Sequence, residues 1–388
     1  MNFPRAVILH ADEISLKGEN RPFFERILLE NIRSVFPAGA CLHAEKRHGT
    51  TVLWLSDNAD EEAIRTALMK VFGIANFAFA FSVPHDMQEL EKSVITLLKG
   101  KTFTTFRISA RRADKNFPLT SQEINERLGE TVVKEFGAKV NLEEPDLNCH
   151  VEVASGAIFI YFEKHQGYGG LPLGVSGPLL SLISSGLDSP VASWKMMRRG
   201  SRVSFVHFHS YPSTSKASQD NVREIVKILA GWQGGAKLFM VPFLPIQQSI
   251  VAKLPDPTRR VIVYRRFMMR IAERLAVQEK TPALVTGDSL GQVASQTIEN
   301  IVAVSQAVSL PILRPLIGEN KRDIVARARE IGTFEASSQP HEDCCSLFVP
   351  EHPSTRTSVE EVKRDEEKLD VEALAERAVA DTKTELFS

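Results

Sequence analysis

The 388 residues, with 43% apolar and 24% charged side chains and a formal net charge of −1, are enough for two or three folded domains, each with its own core. No apolar run approaches the roughly 20 residues of a membrane-crossing helix, and the near-neutral charge leaves nucleic-acid binding to local patches. Four cysteines are too few for a disulfide framework, and Met1 to Arg5 lack the charged and apolar regions of a secretion signal, so a reducing cytoplasm is the expected setting.

Residues 1–80 read as β-α-β-β-α-β, a ferredoxin-like order. Ala6–His10 is a short apolar strand. Phe24, Ile27, Leu28, Ile32 and Val35 recur near helical spacing behind Asn20, which predicts a helix from Arg21 to Phe36. Thr51–Leu55 is strand-like, Asp60 is placed to cap a helix from Glu61 to Val71, and Ile74–Phe81 is again extended. The polar stretch Glu13–Arg21, lying between two regular elements, is the kind of loop that more often carries function than filler. Cys41, and Cys149 further on, read as isolated buried small residues.

A second alternation occupies residues 81–166. A helical pattern over Met87–Lys99 leads to a strand at Thr104–Ser109, and Ser121 precedes a helix at Ile124–Phe136. Strands His150–Val153 and Ala157–Phe162 are joined through Ser155-Gly156 as a hairpin. The run from Arg107 to Lys115 holds four cations (Arg107, Arg111, Arg112 and Lys115) against one carboxylate, with Phe103, Phe106 and Phe117 nearby. A basic loop leaving the end of a strand is well placed to grip phosphates. A solvated face is the alternative that the charges alone leave open.

The Gly/Pro-rich stretch Gly167–Gly174 marks a boundary. Beyond it the strand-like runs Leu179–Ile183, Val203–His209, Leu238–Val241, Ala283–Gly287 and Ile312–Leu316 alternate with helical patterns at Pro190–Arg199, Lys216–Trp232, Arg259–Glu279 and Lys321–Glu330. That alternation predicts a mostly parallel sheet with its ligand at the strand C-termini. The tail from Ser358 is charge-rich with spaced apolar residues, and reads as a helical tail lying on the surface or on a partner.

One stretch of this third region stands out. The apolar run Leu179–Ile183 turns through Ser184-Ser185-Gly186-Leu187-Asp188-Ser189 into a helix opened by Pro190. A strand, a tight loop of small residues and a helix start present backbone N–H groups to a phosphate, and Asp188 adds a carboxylate suited to Mg²⁺. An ordinary strand-to-helix turn capped by Asp and Ser explains the hexapeptide equally well. The G-x-x-x-x-G-K-[ST] loop with its lysine is not present here.

Ser-x-Gly-x-Asp-Ser resembles the PP-loop of ATP pyrophosphatases, whose pattern is Ser-Gly-Gly-x-Asp-Ser; Ser185 replaces the first Gly. Seven further blocks, in order, are EISLKGENR (13–21), RRADKNFPLTSQEIN (111–125), GGLPLGVSG (169–177), FHSYPSTS (208–215), TGDSLGQVASQT (286–297), LRPLIG (313–318) and EDCC (342–345). Together the eight resemble the tRNA 4-thiouridine synthetase family, from about residue 5 to about residue 356. The resemblance implies an α/β protein of three parts. These are a ferredoxin-like domain over 1–80, an α/β THUMP RNA-binding domain over 81–166 (the family boundary can begin near 60), and a parallel-sheet PP-loop domain over 167–388, of the adenine nucleotide alpha-hydrolase type, with its helical tail.

The activity implied is ATP-dependent transfer of sulfur to uridine 8 of tRNA, through an adenylated uridine and a persulfide. Ile183, Ser184, Ser185, Gly186, Ser189, Phe208, His209, Arg265, Gly287 and Gln296 then serve ATP, and Asp188 holds Mg²⁺. Lys321 stabilises charge, and Cys344 handles sulfur, with Cys345 as the alternative. Asp288 stands where the family usually has Glu. Lys101, Arg107, Arg111, Arg112 and Lys115 are the expected tRNA contacts. Some family members carry their persulfide cysteine in a C-terminal rhodanese domain. This chain stops at Ser388 without one, so either the Cys344–Cys345 pair takes the persulfide or a cysteine desulfurase delivers sulfur directly. The resemblance also implies a homodimer, and a second role in thiamine thiazole synthesis with a sulfur-carrier protein. Two other readings remain: a PP-loop enzyme adenylating a small molecule, and a tRNA-binding protein without catalysis.

Overall fold

A computed structural model describes residues 3–47, 50–254, 256–339, 348 and 350–388. The chain divides into two compact units at Pro172/Leu173.

In the first unit the strands are β1 (Arg5–Ala11), β2 (Cys41–Arg47), β3 (Thr50–Leu55), β4 (Ile74–Val83), β5 (Thr105–Arg112), β6 (Lys139–Val140), β7 (Leu147–Ala154), β8 (Ala157–Tyr161) and β9 (His165–Gln166). They form one sheet in the order β2-β3-β1-β4-β8-β7-β5-β6, with β9 against β4. Pairing is antiparallel except around β5, which runs parallel to β6 and β7. Helices α1 (Arg21–Val35) and α2 (Glu61–Met69) bury Leu28, Ile32, Ile64 and Leu68 against Val7, Leu9, Leu53 and Phe77. Helices α3 (Met87–Leu98) and α4 (Ser121–Phe136) do the same against Phe106, Ile108, Val151 and Val153.

Caps set the helix starts. Asp60 accepts from the N–H groups of Glu62 and Ala63, whereas α4 is capped by Thr120 in a reciprocal box with Glu123, one residue earlier than the sequence suggests. Asn20 makes no side-chain cap bond; the polar stretch before it forms two short 3₁₀ turns. Cys149 is fully buried, and burial pushes its thiol up to about 12. Cys41 lies only half-buried on β2, contrary to expectation.

In the second unit β10 (Ser176–Leu182), β11 (Ser201–His209), β12 (Ala236–Pro242), β13 (Leu284–Val285), β14 (Ile312–Leu313) and β15 (Lys383–Phe387) form a sheet in the order β14-β13-β10-β11-β12-β15. All neighbours are parallel except β15, which runs antiparallel to β12. The helices are α5 (Asp188–Arg198), α6 (Ala217–Gln233), α7 (Leu244–Lys253), α8 (Arg260–Gln278), α9 (Ile298–Ser305), α10 (Lys321–Ile331), α11 (Phe334–Ser337), α12 (Val359–Glu366) and α13 (Val371–Ala380). The expected α/β class with a parallel sheet is therefore present.

The tail differs from expectation. Val362, Leu369, Ala375 and Ala378 join the core beside α8, and Glu366 receives paired hydrogen bonds from Arg266 and Arg270. Burial alone would raise the Glu366 carboxyl, but the two guanidiniums reverse that and hold it below its usual range. The tail is thus part of the second unit's own core and sheet. Among the described residues no helix is long and apolar enough to cross a membrane.

Candidate active site and nucleic-acid face

The second unit's crossover connections bring loops from four parallel strands to one end of the sheet. After β10, the Ile183 carbonyl accepts from His207 Nδ1 at 3.0 Å, and the chain then turns sharply. Ser184 and Ser189 close that turn: the Ser184 N–H donates to Ser189 Oγ at 2.8 Å and the two hydroxyls lie 3.1 Å apart. Ser185 faces inward, fully buried, its hydroxyl 3.3 Å from that of Ser218 at the start of α6. Neither Ser185 nor Gly186 has positive φ, so the loop accommodates a side chain where the family pattern has Gly.

Helix α5 then starts at Asp188 with Leu187 before it, and no side chain caps it. Its first N–H groups are of the kind that an anion satisfies. Gly287, just past β13, lies hard against this start. A Cβ there would come within 2.7 Å of the Ser189 nitrogen, so the close approach that demands glycine is to the loop's own backbone.

Asp188 is the centre of the arrangement. One carboxylate oxygen accepts from Lys321 Nζ at 2.8 Å and the other from Gln292 Nε2 at 2.7 Å. Lys321 is the first residue of α10, where a cation opposes the helix dipole; the Asp188 carboxylate offsets that. Asp188 accepts only, so the Gln292 amide must turn its nitrogen towards it, and its oxygen is left buried without a partner. The Gln296 amide oxygen, four residues on, is in the same condition.

Beside them Asp288 is buried between Arg265 and Arg314 and accepts from the Thr286 hydroxyl at 2.8 Å. Burial would raise its carboxyl, but Arg265, then Thr286 and Arg314, more than reverse this and hold it below the usual range. Arg265 also donates to the Ser295 carbonyl at 2.9 Å, which ties α8 to the loop before α9.

Two further expected nucleotide residues, Phe208 and His209, end β11. Phe208 is a core residue, edge-on to Phe243 at 5.5 Å. His209 is half-buried with Nδ1 unpartnered, and burial, then the charges of His207, Arg223 and Lys383, pushes its imidazole down to about 4. Cys344 and Cys345 lie outside the described residues. The chain on either side is anchored, however: Ser337 donates to the Gly186 carbonyl at 3.3 Å, and the Ser354 carbonyl accepts from Asn300 Nδ2 at 2.9 Å on α9.

In the first unit the strand expected to end at Ser109 continues to Arg112, so three of the four cations of the basic run lie on β5 and only Lys115 lies beyond it. Arg107, Ser109 and Arg111 alternate on β5 with the core residues Phe106 and Ile108, so Arg107 and Arg111 share the sheet face away from α3 and α4. Arg112 points the other way and donates to the Phe117 and Leu119 carbonyls, which fixes the following turn. Lys115 is exposed, and Lys101 Nζ lies 4.3 Å from the centre of the Phe162 ring.

On the Arg111 face a hollow of about 880 Å³ is lined by Arg21, Arg107, Arg111, Lys164, His10 and Glu152, among others. Glu152, fully buried on β7, receives His10 at 2.9 Å, the Thr50 hydroxyl, and Arg111 at 3.5 Å. Burial works against its ionisation, but these partners outweigh it and keep the carboxyl below its usual range. Gln292, Arg314, Glu152 and His10 escaped the sequence reading. Only Gln292 and Arg314 lie inside blocks that had been singled out.

Three family models match in order along the chain: the ThiI ferredoxin-like domain over residues 6–78, the THUMP domain over 84–163 and thiamine biosynthesis protein (ThiI) over 174–371. A probable tRNA sulfurtransferase of Thermus thermophilus is 44% identical over 93% of this chain and 89% of its own length. One from Brevibacillus brevis is 40% identical over 99% and 96%. A crystal structure of a 4-thiouridine synthetase–RNA complex with bound ATP superposes with a TM-score of 0.87 at 35% identity, covering 99% of this chain and all of that one. With a parallel-sheet crevice centred on Asp188 and relatives matched along nearly their whole length, this chain belongs to the ThiI family of tRNA sulfurtransferases.

Proposed function

We propose that the chain is an ATP-dependent tRNA sulfurtransferase that makes 4-thiouridine at position 8. The observation that carries this is the Lys321–Asp188–Gln292 bridge at the uncapped start of α5, in a chain matched end to end by the 4-thiouridine synthetase. The oxygen on C4 of uracil is a poor leaving group. Its attack on the α-phosphorus of ATP releases pyrophosphate and, with loss of the N3 proton, makes AMP the leaving group. The outer sulfur of a protein persulfide then bonds to C4 as AMP departs. A second thiol attacks the protein-borne sulfur, so that the S–S bond breaks, 4-thiouridine is released and the two thiol sulfurs are left as a disulfide.

For the first step the chain supplies positioning and electrostatics. The N–H groups around Gly186 receive phosphate oxygens, Lys321 offsets growing negative charge, and Ile183, Ser184, Ser185, Ser189, Gly287 and Gln296 shape the crevice. The donor set fits Mg²⁺ only in part: among the described residues no three metal-ligating side chains converge, and both Asp188 oxygens are already engaged. A single carboxylate completed by nucleotide phosphates and water is nevertheless a common Mg²⁺ site, in which the ion would neutralise phosphate charge. Asp188 is the residue that would hold it.

For the second step, Ser337 ties the chain before the Cys344–Cys345 segment to the phosphate loop, and Ser354 ties the chain after it to α9. This supports Cys344, or Cys345 in its stead, as the residue that receives sulfur from a cysteine desulfurase. With parts at 1–80, 81–166 and 167–388, the reading gives tRNA binding to the second, through Arg107, Arg111, Lys101 and Lys115, and the adenylation to the third. A cytoplasmic homodimer, with a second sulfur-transfer role in thiamine thiazole synthesis, completes the reading.

The test is mass spectrometry of nucleosides from tRNA incubated with the protein, ATP and a persulfide donor. A sulfur-for-oxygen gain confined to uridine 8, lost without ATP, is the expected result. Pyrophosphate release that ignores tRNA would instead favour a small-molecule adenylating enzyme. Binding of tRNA without any pyrophosphate release would indicate a binding protein.

A further inference from the structure

The FHSYPSTS block is only partly absorbed by the site above. Phe208 and His209 end β11, and the loop that follows, 210–216, leaves the sheet beside the phosphate loop, because β11 pairs directly with β10. Its far end returns to the same place: Ser218 lies 3.3 Å from Ser185. Ser210 is buried, donating to the Gln247 side chain, and Thr214 is buried too; Tyr211, Pro212, Ser213, Ser215 and Lys216 are exposed. The loop is thus pinned at its base and open at its tip.

At that tip Tyr211 is 46% exposed, and Lys216 Nζ stands over its ring, 5.3 Å from the centroid. A scattered exposed apolar residue needs no explanation. An aromatic ring coupled to a cation, on a loop that leaves the strand next to β10 and whose far end meets the phosphate loop, is a more specific arrangement. The coupling also holds the ring in place through cation–π attraction.

We infer that Tyr211, with Lys216 over its ring, is the stacking platform for the target nucleobase of the RNA. The inference rests on the proposed function and deepens it. A base held within folded RNA must leave its stack before its C4 oxygen can meet the α-phosphorus, and that unstacking is unfavourable unless another π-surface receives the base. Aromatic side chains beside cations supply such a surface on single-stranded nucleic acid, and the cation also meets the backbone phosphates. Adenine of ATP is the other candidate occupant. Small-ligand sites enclose most of their ligand, whereas this tip is exposed over most of its length, which suits a macromolecule arriving from solvent.

The experiment compares tRNA carrying uridine at position 8 with the same tRNA carrying an abasic nucleotide there. Each is titrated against wild type, Tyr211→Leu, Tyr211→Phe and Lys216→Gln, with a non-hydrolysable ATP analogue present. The wild type is expected to bind the abasic tRNA about tenfold more weakly. Tyr211→Leu should bind both alike, Tyr211→Phe should keep the discrimination, and Lys216→Gln should weaken both with a smaller salt slope and narrow the difference between them. Affinity for the ATP analogue should stay within about twofold in every variant, which also reports that the site is folded.

Discrimination by Tyr211→Leu as large as that of wild type overturns the inference, as does a matching loss of ATP-analogue affinity, which would give the ring to adenine. A wild type that does not distinguish the two tRNAs overturns it as well. Pyrophosphate release by wild type with native tRNA is the parallel control: its absence would remove the proposed function, whereas its presence with any of the overturning outcomes removes the platform alone.

Discussion

The two units solve the same problem, holding polar groups on a sheet, in opposite ways. In the second unit the polar groups lie beyond the strand ends, on loops from β10, β11, β13 and β14, while the sheet itself is apolar core. In the first unit they lie on the strands, where Arg107, Arg111, His150 and Glu152 occupy one face and α3 and α4 cover the other. Loop-borne groups can be brought to one point, as Asp188, Gln292 and Lys321 are. Strand-borne groups are spaced by the pleat and spread into a surface. The first arrangement suits chemistry at one atom; the second suits a long polyanion.

The largest expected effect lies at the convergent point. Asp188→Asn keeps the shape but loses the charge that faces Lys321, and pyrophosphate release with tRNA and ATP should fall about 10²–10³-fold in single-turnover assays. A loss below tenfold would mean that the convergence is not catalytic. Gly287→Ala comes next: its methyl meets backbone that cannot rotate away, so about 1–3 kcal/mol of stability should go, together with about a tenfold drop in the same rate. Urea unfolding and the pyrophosphate assay read the two parts.

A smaller effect concerns pH, and it touches both units. Burial, then neighbouring cations, pushes His150 in the first unit and His209 in the second from the ordinary 6.5 down to about 4. Between those values the unfolded chain takes up protons that the folded one refuses. Each histidine therefore contributes stability that is present above pH 6.5 and lost as pH falls towards 4. Urea midpoints should decline over that window, with a shallower decline in His150→Asn and in His209→Asn; an unchanged slope in either variant assigns the effect elsewhere.

The smallest effect is expected from single cations on the spread surface. Arg111→Ala and Lys115→Ala should each weaken tRNA binding uniformly across sequences and lower the salt slope by about one. A collapse of binding from either change alone would show that the first unit also has a convergent point.

The contrast also explains what could be read without coordinates. The β10–loop–α5 unit is legible because an apolar run, small turn residues and a helix-opening proline are local signals that agree. Most helices were likewise legible to within a few residues from their apolar spacing. The basic stretch at 107–115 is legible only in part: the strand expected to end at Ser109 runs on to Arg112, because the charges of Arg111 and Arg112 mask the continuing alternation after Ile108. Helices α7 and α9 went unread: α7 is short and begins at a proline-bearing turn, and α9 leaves Ile298 and Val302 exposed, so neither shows a clean apolar stripe. Gln292 was invisible for a different reason: its role depends on Asp188, which is brought to it only by folding. Glu152 could not be read either, since its partners come from β1, β3 and β5.

Strand β15 illustrates the same limit and has a practical consequence. Lys383–Phe387 pairs with Ala236–Met240, and Glu385 is bonded to Arg223 on α6, so these residues cover what would otherwise be the bare rim of the parallel sheet. Anything joined after Ser388 must emerge from that rim. A purification handle placed there would compete with β15 for its seat, and trimming the final residues would leave β12 offering unmatched amides and carbonyls to any extended peptide it meets, a route to self-association unrelated to the chemistry at Asp188.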